Sequence, residues 1–177
     1  MQVLPLVISV AFGLATPSHA PTLIGELHHS LLKPDRRVRT VHPRAAAALF
    51  AGVSRSRTFA ALIDAINRSN VIAYVELVQE VPRGARGRLI LASKLTHHRY
   101  VRIQLRSMLG QDEMISVLGH ELQHAVEIAQ APEITDDASM RKYYQRAGGG
   151  VSDGFGFDTE AARIAGDRIW RELKATS

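Results

Sequence analysis

Three residues of this chain have the types and spacing for metal chemistry. They stand in the run His120-Glu121-Leu122-Gln123-His124. On a helix, side chains four apart lie one above the other, so the two imidazoles share a face. Two neutral imidazoles so placed can hold Zn2+, and the carboxylate beside the first reaches a water bound to that ion. The metal lowers the pKa of the water towards neutrality, and Glu121 takes its proton during attack. With eight histidines among 177 residues, the bare pattern arises by chance at a frequency of roughly 0.02. Leu122 and Gln123 are uncharged, and Ile115, Leu118, Leu122, Ala125 and Ala129 form an apolar stripe. The helix therefore has a core-facing side distinct from the motif. The competing reading is a solvated helix face with two surface histidines. Burying two His and a Glu with no metal would be costly.

A catalytic zinc site takes three protein ligands and keeps one position for water. A histidine six residues beyond His124 would mark the metzincin pattern, but that position is Gln130. Glu127 shares the motif face, but it lies about 10.5 Å along the axis from His120, too far for easy convergence on one ion. It reads as a partner of a ligand or as a surface charge. Glu160, in Phe157-Asp158-Thr159-Glu160, opens a later segment that approaches from another direction. Its alternative is a carboxylate favoured by a helix dipole.

The elements that must position these residues are legible in outline. Pro43 to Val53 and Arg57 to Arg68 have helical composition, with Phe59, Leu62, Ile63 and Ile66 on one face. Val71 to Val81 reads as a buried strand, closed by the turn Pro82-Arg83-Gly84. Leu89 to Leu95 and Tyr100 to Arg106 follow as a hairpin, and the second alternates Val101, Ile103 and Leu105 with polar residues. Asp112 is placed to cap the motif helix, which runs from Glu113 to about Gln130 before Ala131-Pro132. A helix over Asp137 to Arg146, a loop with glycines at 148–150, 154 and 156, and a helix from Asp158 to Leu173 complete the chain. A short helix near Leu23 to Leu32 is also expected. The order of helices, three strands and further helices predicts an α+β domain.

From Val71 to Leu173 the sequence resembles the gluzincin branch of the zincin metallopeptidases, the peptidase MA-like group. The resemblance consists of the strand pair, the helix bearing His120, Glu121 and His124, and the later helix bearing Glu160. It implies a small antiparallel or mixed sheet packed against the active-site helix, with one zinc per chain held by His120, His124 and Glu160. It also implies Glu121 as the catalytic base. Members of that group place an Asp four residues after the ligand Glu; here that position is Ile164, so support for the first His must come from Asp167 or Glu127. Zincins bind extended substrate along an edge strand, a role that Tyr100 to Arg106 would take. Tyr143 or Tyr144 is a candidate oxyanion donor, with packing as its alternative. The paired histidines His97-His98 and His28-His29 read as solvated.

Composition bounds the partners. The apolar share of 46% and charged share of 22% are those of a globular domain. No cysteine is present, which excludes a disulfide framework, a thiolate metal site and a cysteine nucleophile. The net charge is +5, yet the tightest positive group is Lys33, Arg36, Arg37 and Arg39. No nucleic-acid module is visible, and nucleic acid is not an expected partner. Residues 1–20 hold no charged side chain, Val3 to Ala15 is mostly apolar, and Ser18-His19-Ala20 has a small-x-small pattern. That segment reads as a signal peptide, which predicts a secreted or periplasmic domain over residues 21–177 with no membrane span after cleavage.

The expectation is thus a secreted zinc-dependent hydrolase, in first place a metallopeptidase acting on a peptide or protein. The alternatives are a binding protein on the same scaffold without turnover, or a structural zinc module of the cell envelope. A fourth protein ligand would favour the latter.

Overall fold

The computed structural model describes residues 36–95, 97–146, 150–152 and 156–176. The segment read as a signal peptide and the helix expected near Leu23 to Leu32 lie outside the described residues, as do His28 and His29.

In chain order the elements are β1 (Val38–Arg39), α1 (Pro43–Arg55), α2 (Arg57–Asn67), β2 (Val71–Val78), a single 3-10 turn (Pro82–Gly84), β3 (Gly87–Leu95) and β4 (His98–Arg106). Then come α3 (Gln111–Gln130), α4 (Asp137–Arg146), the small hairpin β5 (Gly150–Ser152) and β6 (Gly156–Asp158), and α5 (Glu160–Ala175). The chain is mixed α+β. Its main sheet has the order β1-β2-β4-β3, with β1, β2 and β4 parallel and β3 antiparallel to β4.

Two sequence expectations change, and one strand was not foreseen at all. Strand β1 has two residues, too few to show any periodicity. Strand β4 is flanked on both sides, so Tyr100 to Arg106 is not an edge; the free edge beyond β4 is β3. The cap of α3 is Gly110 in extended conformation, not Asp112. Asp112 sits in the first turn and pairs with Arg55 at 2.7 Å and Lys174 at 3.1 Å.

Alternation along the sheet decides where the core lies. Val71, Ala73 and Val75 of β2 and Val101, Ile103 and Leu105 of β4 are buried together with Leu91, on the side where the helices pack. Helix α3 lies across this face and is buried on nearly every side, from Met114 to Ile128. Its far side is covered by α5. The two helices meet closely at Gly119, where an added Cβ would collide with Ile169 Cδ1 and lie 3.6 Å from Phe59. Ile169 and Phe59 are both fully buried and cannot swing aside. The carbonyl end of α3 is closed from the sheet: the buried Arg99 guanidinium donates to the oxygens of Ala131 at 2.7 Å and Ala129 at 3.0 Å, and to Asn70 Oδ1 at 2.8 Å. A cation there also complements the helix dipole.

The far end of α5 is tied down by Glu172. Its carboxylate accepts Ser56 Oγ at 2.5 Å, Thr58 N at 3.1 Å and Thr58 Oγ1 at 2.7 Å. Ser56 is itself the cap of α2, accepting from Phe59 N. Partial burial opposes the charge on Glu172, but the bonds from Ser56 and Thr58 outweigh it and hold the carboxyl below the usual carboxylate range. No helix among the described residues is long and apolar enough to cross a membrane.

Two outcomes follow from this packing. Gly119→Ala should lower the unfolding free energy by about 1–3 kcal/mol through overpacking, read from urea denaturation midpoints. Glu172→Gln should cost about 1–2 kcal/mol at neutral pH. Because the folded-state pKa of Glu172 is depressed, its contribution is complete above the unfolded pKa and disappears as pH falls through the folded value. The two proteins' melting curves should therefore converge in acid; a gap that persists there would refute the charge-based account.

Candidate metal centre

The site is built from the middle of α3 and the entry into α5. His120 and His124 stand one turn apart, and their Nε2 atoms are 3.2 Å apart with the rings edge to face. His124 Nδ1 lies 2.9 Å from Glu127 Oε2. A carboxylate only accepts, so Nδ1 carries a proton, and in the singly protonated ring the lone pair lies at Nε2. Glu127 is buried at 7% exposure. Its other oxygen accepts Thr159 Oγ1 at 2.7 Å, and Thr159 caps α5 by accepting from Ala162 N at 3.1 Å. The orientation of His124 is thus set by a chain that ends in a different helix.

Asp158, the last residue of β6, brings Oδ1 to 3.7 Å from His120 Nε2. That oxygen is buried and has no hydrogen-bond partner among the described residues. The donor atoms of His120, His124 and Asp158 all lie within 4.8 Å of one another. A buried carboxylate oxygen without a donor, facing two imidazole nitrogens, is unfavourable unless a cation lies between them. Two neutral nitrogens and one carboxylate oxygen make a donor set that suits zinc, so the residues fit the ion.

Glu121 points to the sheet side of the same cluster and is 6% exposed. Its carboxylate accepts a backbone bond at Leu89 and rests against Gly87, where an added Cβ would come within 3.0 Å of Oε1 and 2.7 Å of Val117. The start of β3 therefore lies directly beside the proposed base. A cleft of about 360 Å3 opens on His120, Glu121 and Asp158, bordered by Arg86, Ser116 and Arg163. His124 lies deeper, at 5% exposure.

Burial governs the electrostatics. It pushes the Glu121 carboxyl up to about 7, opposed by His124 and reinforced by the charge of Asp158. Burial, aided by His124, pulls His120 down to about 4. At His124 burial works against the charged ring, but the Glu127 bond and the nearby carboxylates outweigh it and raise the pKa. Burial likewise opposes the charge on Glu127, yet the bonds from His124, Thr159 and Tyr144 hold that carboxyl low.

The predicted residues divide clearly. His120, Glu121 and His124 come together. Glu160 does not join them: it is the first residue of α5, its side chain is 74% exposed, and it pairs with Arg163 at 2.6 Å. The acid that does join is Asp158, two residues earlier. The predicted helix began at Asp158, whereas the real one begins after the cap Thr159. Thr159 followed by an acid in the first turn is a start signal that would have left Asp158 outside the helix. Glu127 partners His124, one of the two roles foreseen for it, and Asp167 lines the cleft while Ile164 is exposed. Tyr144 is buried under His124, with its ring edge-on at 5.5 Å and its hydroxyl 3.5 Å from the His124 carbonyl oxygen. Tyr143 stacks edge-on against Tyr144. Neither tyrosine lines the cleft; the side-chain N–H donors that do include Arg86 and Arg163. The chain matches no known family model, no curated protein and no solved structure.

Glu127→Ala would strand the Nδ1 proton of His124 and the Thr159 hydroxyl in a buried space. It should cost about 3 kcal/mol of stability in metal-free protein, measured by denaturation with chelator present. A loss below about 0.5 kcal/mol, the size of a surface substitution, would contradict the buried chain.

Proposed function

We propose that this protein is a zinc-dependent hydrolase, in first place a metallopeptidase of the gluzincin type, with one zinc ion per chain. The reading assigns His120, His124 and Asp158 as ligands and Glu121 as general base. The observation that carries it is the convergence of these three donors within 4.8 Å of one another, at a cleft that also admits Glu121.

When bound, zinc acts as a Lewis acid and brings the pKa of water towards neutrality. The protein's own residues do the rest. Glu121 takes the proton from the attacking water and returns one to the leaving group, as a buried carboxylate beside the reacting centre can. Glu127 holds the proton of His124 at Nδ1, so that Nε2 remains a lone-pair donor, and Thr159 holds Glu127. The free edge of β3 runs past Glu121 and offers backbone groups to an extended substrate. Asp158 replaces the Glu of the gluzincin pattern, arriving from the strand before the helix instead of from the helix itself. The cleft beside His120 and Asp158 would leave water and substrate room to reach an ion held there, which supports a catalytic site over a closed structural one. The uncharged segment 1–20 supports export, hence a secreted or periplasmic location.

The test is metal analysis of chelator-free protein beside turnover of a mixed peptide library. Wild type and Glu121→Gln should both carry stoichiometric zinc, with hydrolysis in wild type alone. Asp158→Ala should weaken zinc binding about 10–100-fold, whereas Glu160→Ala should leave it within about twofold. Metal-free protein after zinc incubation would sink the proposal, and the opposite ranking of the two acids would overturn the assignment of Asp158.

A further inference from the structure

The main sheet has a second face, away from the helices and from the candidate metal centre. The register pairs Tyr74 with Arg102 and Glu76 with Gln104 across β2 and β4, and sets Arg88 of β3 beside Gln104. Arg39 of β1 stands beside Tyr74. Tyr100 and Arg106 lie on the same side of β4 as Arg102, because alternate residues of a strand share a face. The sheet residues that enter the core are the other alternates, among them Ala73, Val75, Val101, Ile103 and Leu105. Among the described residues, the packed helices therefore lie on the opposite side.

This face gathers four arginines and two tyrosines around one acid. Glu76 takes Arg102 through two bonds, at 3.0 and 2.8 Å, and Gln104 at 3.2 Å. Arg88 Nε donates to Gln104 Oε1 at 2.8 Å. One carboxylate thus orders the ladder but leaves it strongly positive. Tyr74 is 38% exposed, and the Arg39 guanidinium lies 6.0 Å from its ring centroid. These arginines are spread over positions 39 to 106 and make no run in the sequence; only the strand register collects them.

We propose that this sheet face, which no helix covers among the described residues, binds single-stranded nucleic acid, with the arginines contacting phosphates and Tyr74 and Tyr100 stacking on bases. Guanidinium forks match phosphate geometry. Flat aromatic rings set between them on an open sheet are a platform for unpaired bases. A sheet of charge alone would suit any polyanion; the two tyrosines favour bases. The proposal departs from the expectation, drawn from the sequence, of no nucleic-acid partner, and it does not depend on the metal reading.

The test is fluorescence anisotropy of the full chain with a labelled oligo-dT, titrated across salt. Micromolar binding is expected, with log affinity falling against log salt at a slope of about 2, three phosphates at about 0.7 each. Tyr74→Ala should weaken binding about tenfold at unchanged slope. Arg102→Gln with Arg106→Gln should reduce the slope by about 1.4, two contacts at about 0.7 each. Thermal melts of each variant report whether it is folded, and the wild-type comparisons below stand without them. Absence of binding at low salt overturns the proposal. So does competition by polyglutamate, heparin or anionic-lipid vesicles at least as effective as that by unlabelled oligo-dT, which would reassign the face to another polyanion. Equal binding by folded Tyr74→Ala would remove the stacking role.

Discussion

Everything at the candidate centre depends on how closely α5 can lie across α3. The two histidines come from one helix, while Asp158 and Thr159 stand at the entry to the other. Gly119 permits the approach by leaving room for Ile169, and Ser116 Oγ fastens the same crossing by donating to the Gly166 carbonyl at 3.0 Å. Interiors are close-packed, so a methyl group added at this contact cannot be absorbed locally. A small shift of α5 would move one residue of the candidate cluster, Asp158, and the hydrogen-bond partner of Glu127, which holds His124, at once.

Burying α3 on nearly all sides creates a second demand. A buried helix brings polar groups that water can no longer satisfy. At its carbonyl end the answer is Arg99, reaching across from β4. In its middle the answer is the chain from His124 through Glu127 to Thr159. Both answers join α3 to a different element, so the polar groups of the helix fix its position as well as satisfying themselves. The competing sequence reading set the motif on a solvated helix face. In fact Glu121, His124 and Glu127 are all buried, and the cleft reaches chiefly His120, Glu121 and Asp158.

The local features were the legible ones. Periodicity located α2, α3 and β4, and composition located α1, to within a few residues, because both are properties of the segment itself. The two histidines and Glu121 were legible for the same reason. What could not be read depends on distant partners. Strand β1 exists because two residues add to β2. The interior position of β4 is a matter of strand order, which no segment encodes. That Asp158 and not Glu160 lies beside the histidines turned on where one helix begins, an ambiguity of two residues. The outer sheet face was hidden because its arginines are neighbours only across strands.

The order of the pieces along the chain has a consequence for biogenesis. The sheet and α3 are complete by Gln130, about thirty residues before the chain reaches α5. During synthesis the nascent protein thus presents two histidines and two acids that lack both Asp158 and the Thr159 hydroxyl. The His124–Glu127 pair, half-satisfied at that stage, waits for a hydroxyl that emerges about thirty residues after α3. Completion of the candidate site therefore trails α3 in synthesis, and a chain truncated before Asp158 would carry the main sheet and the motif helix without it.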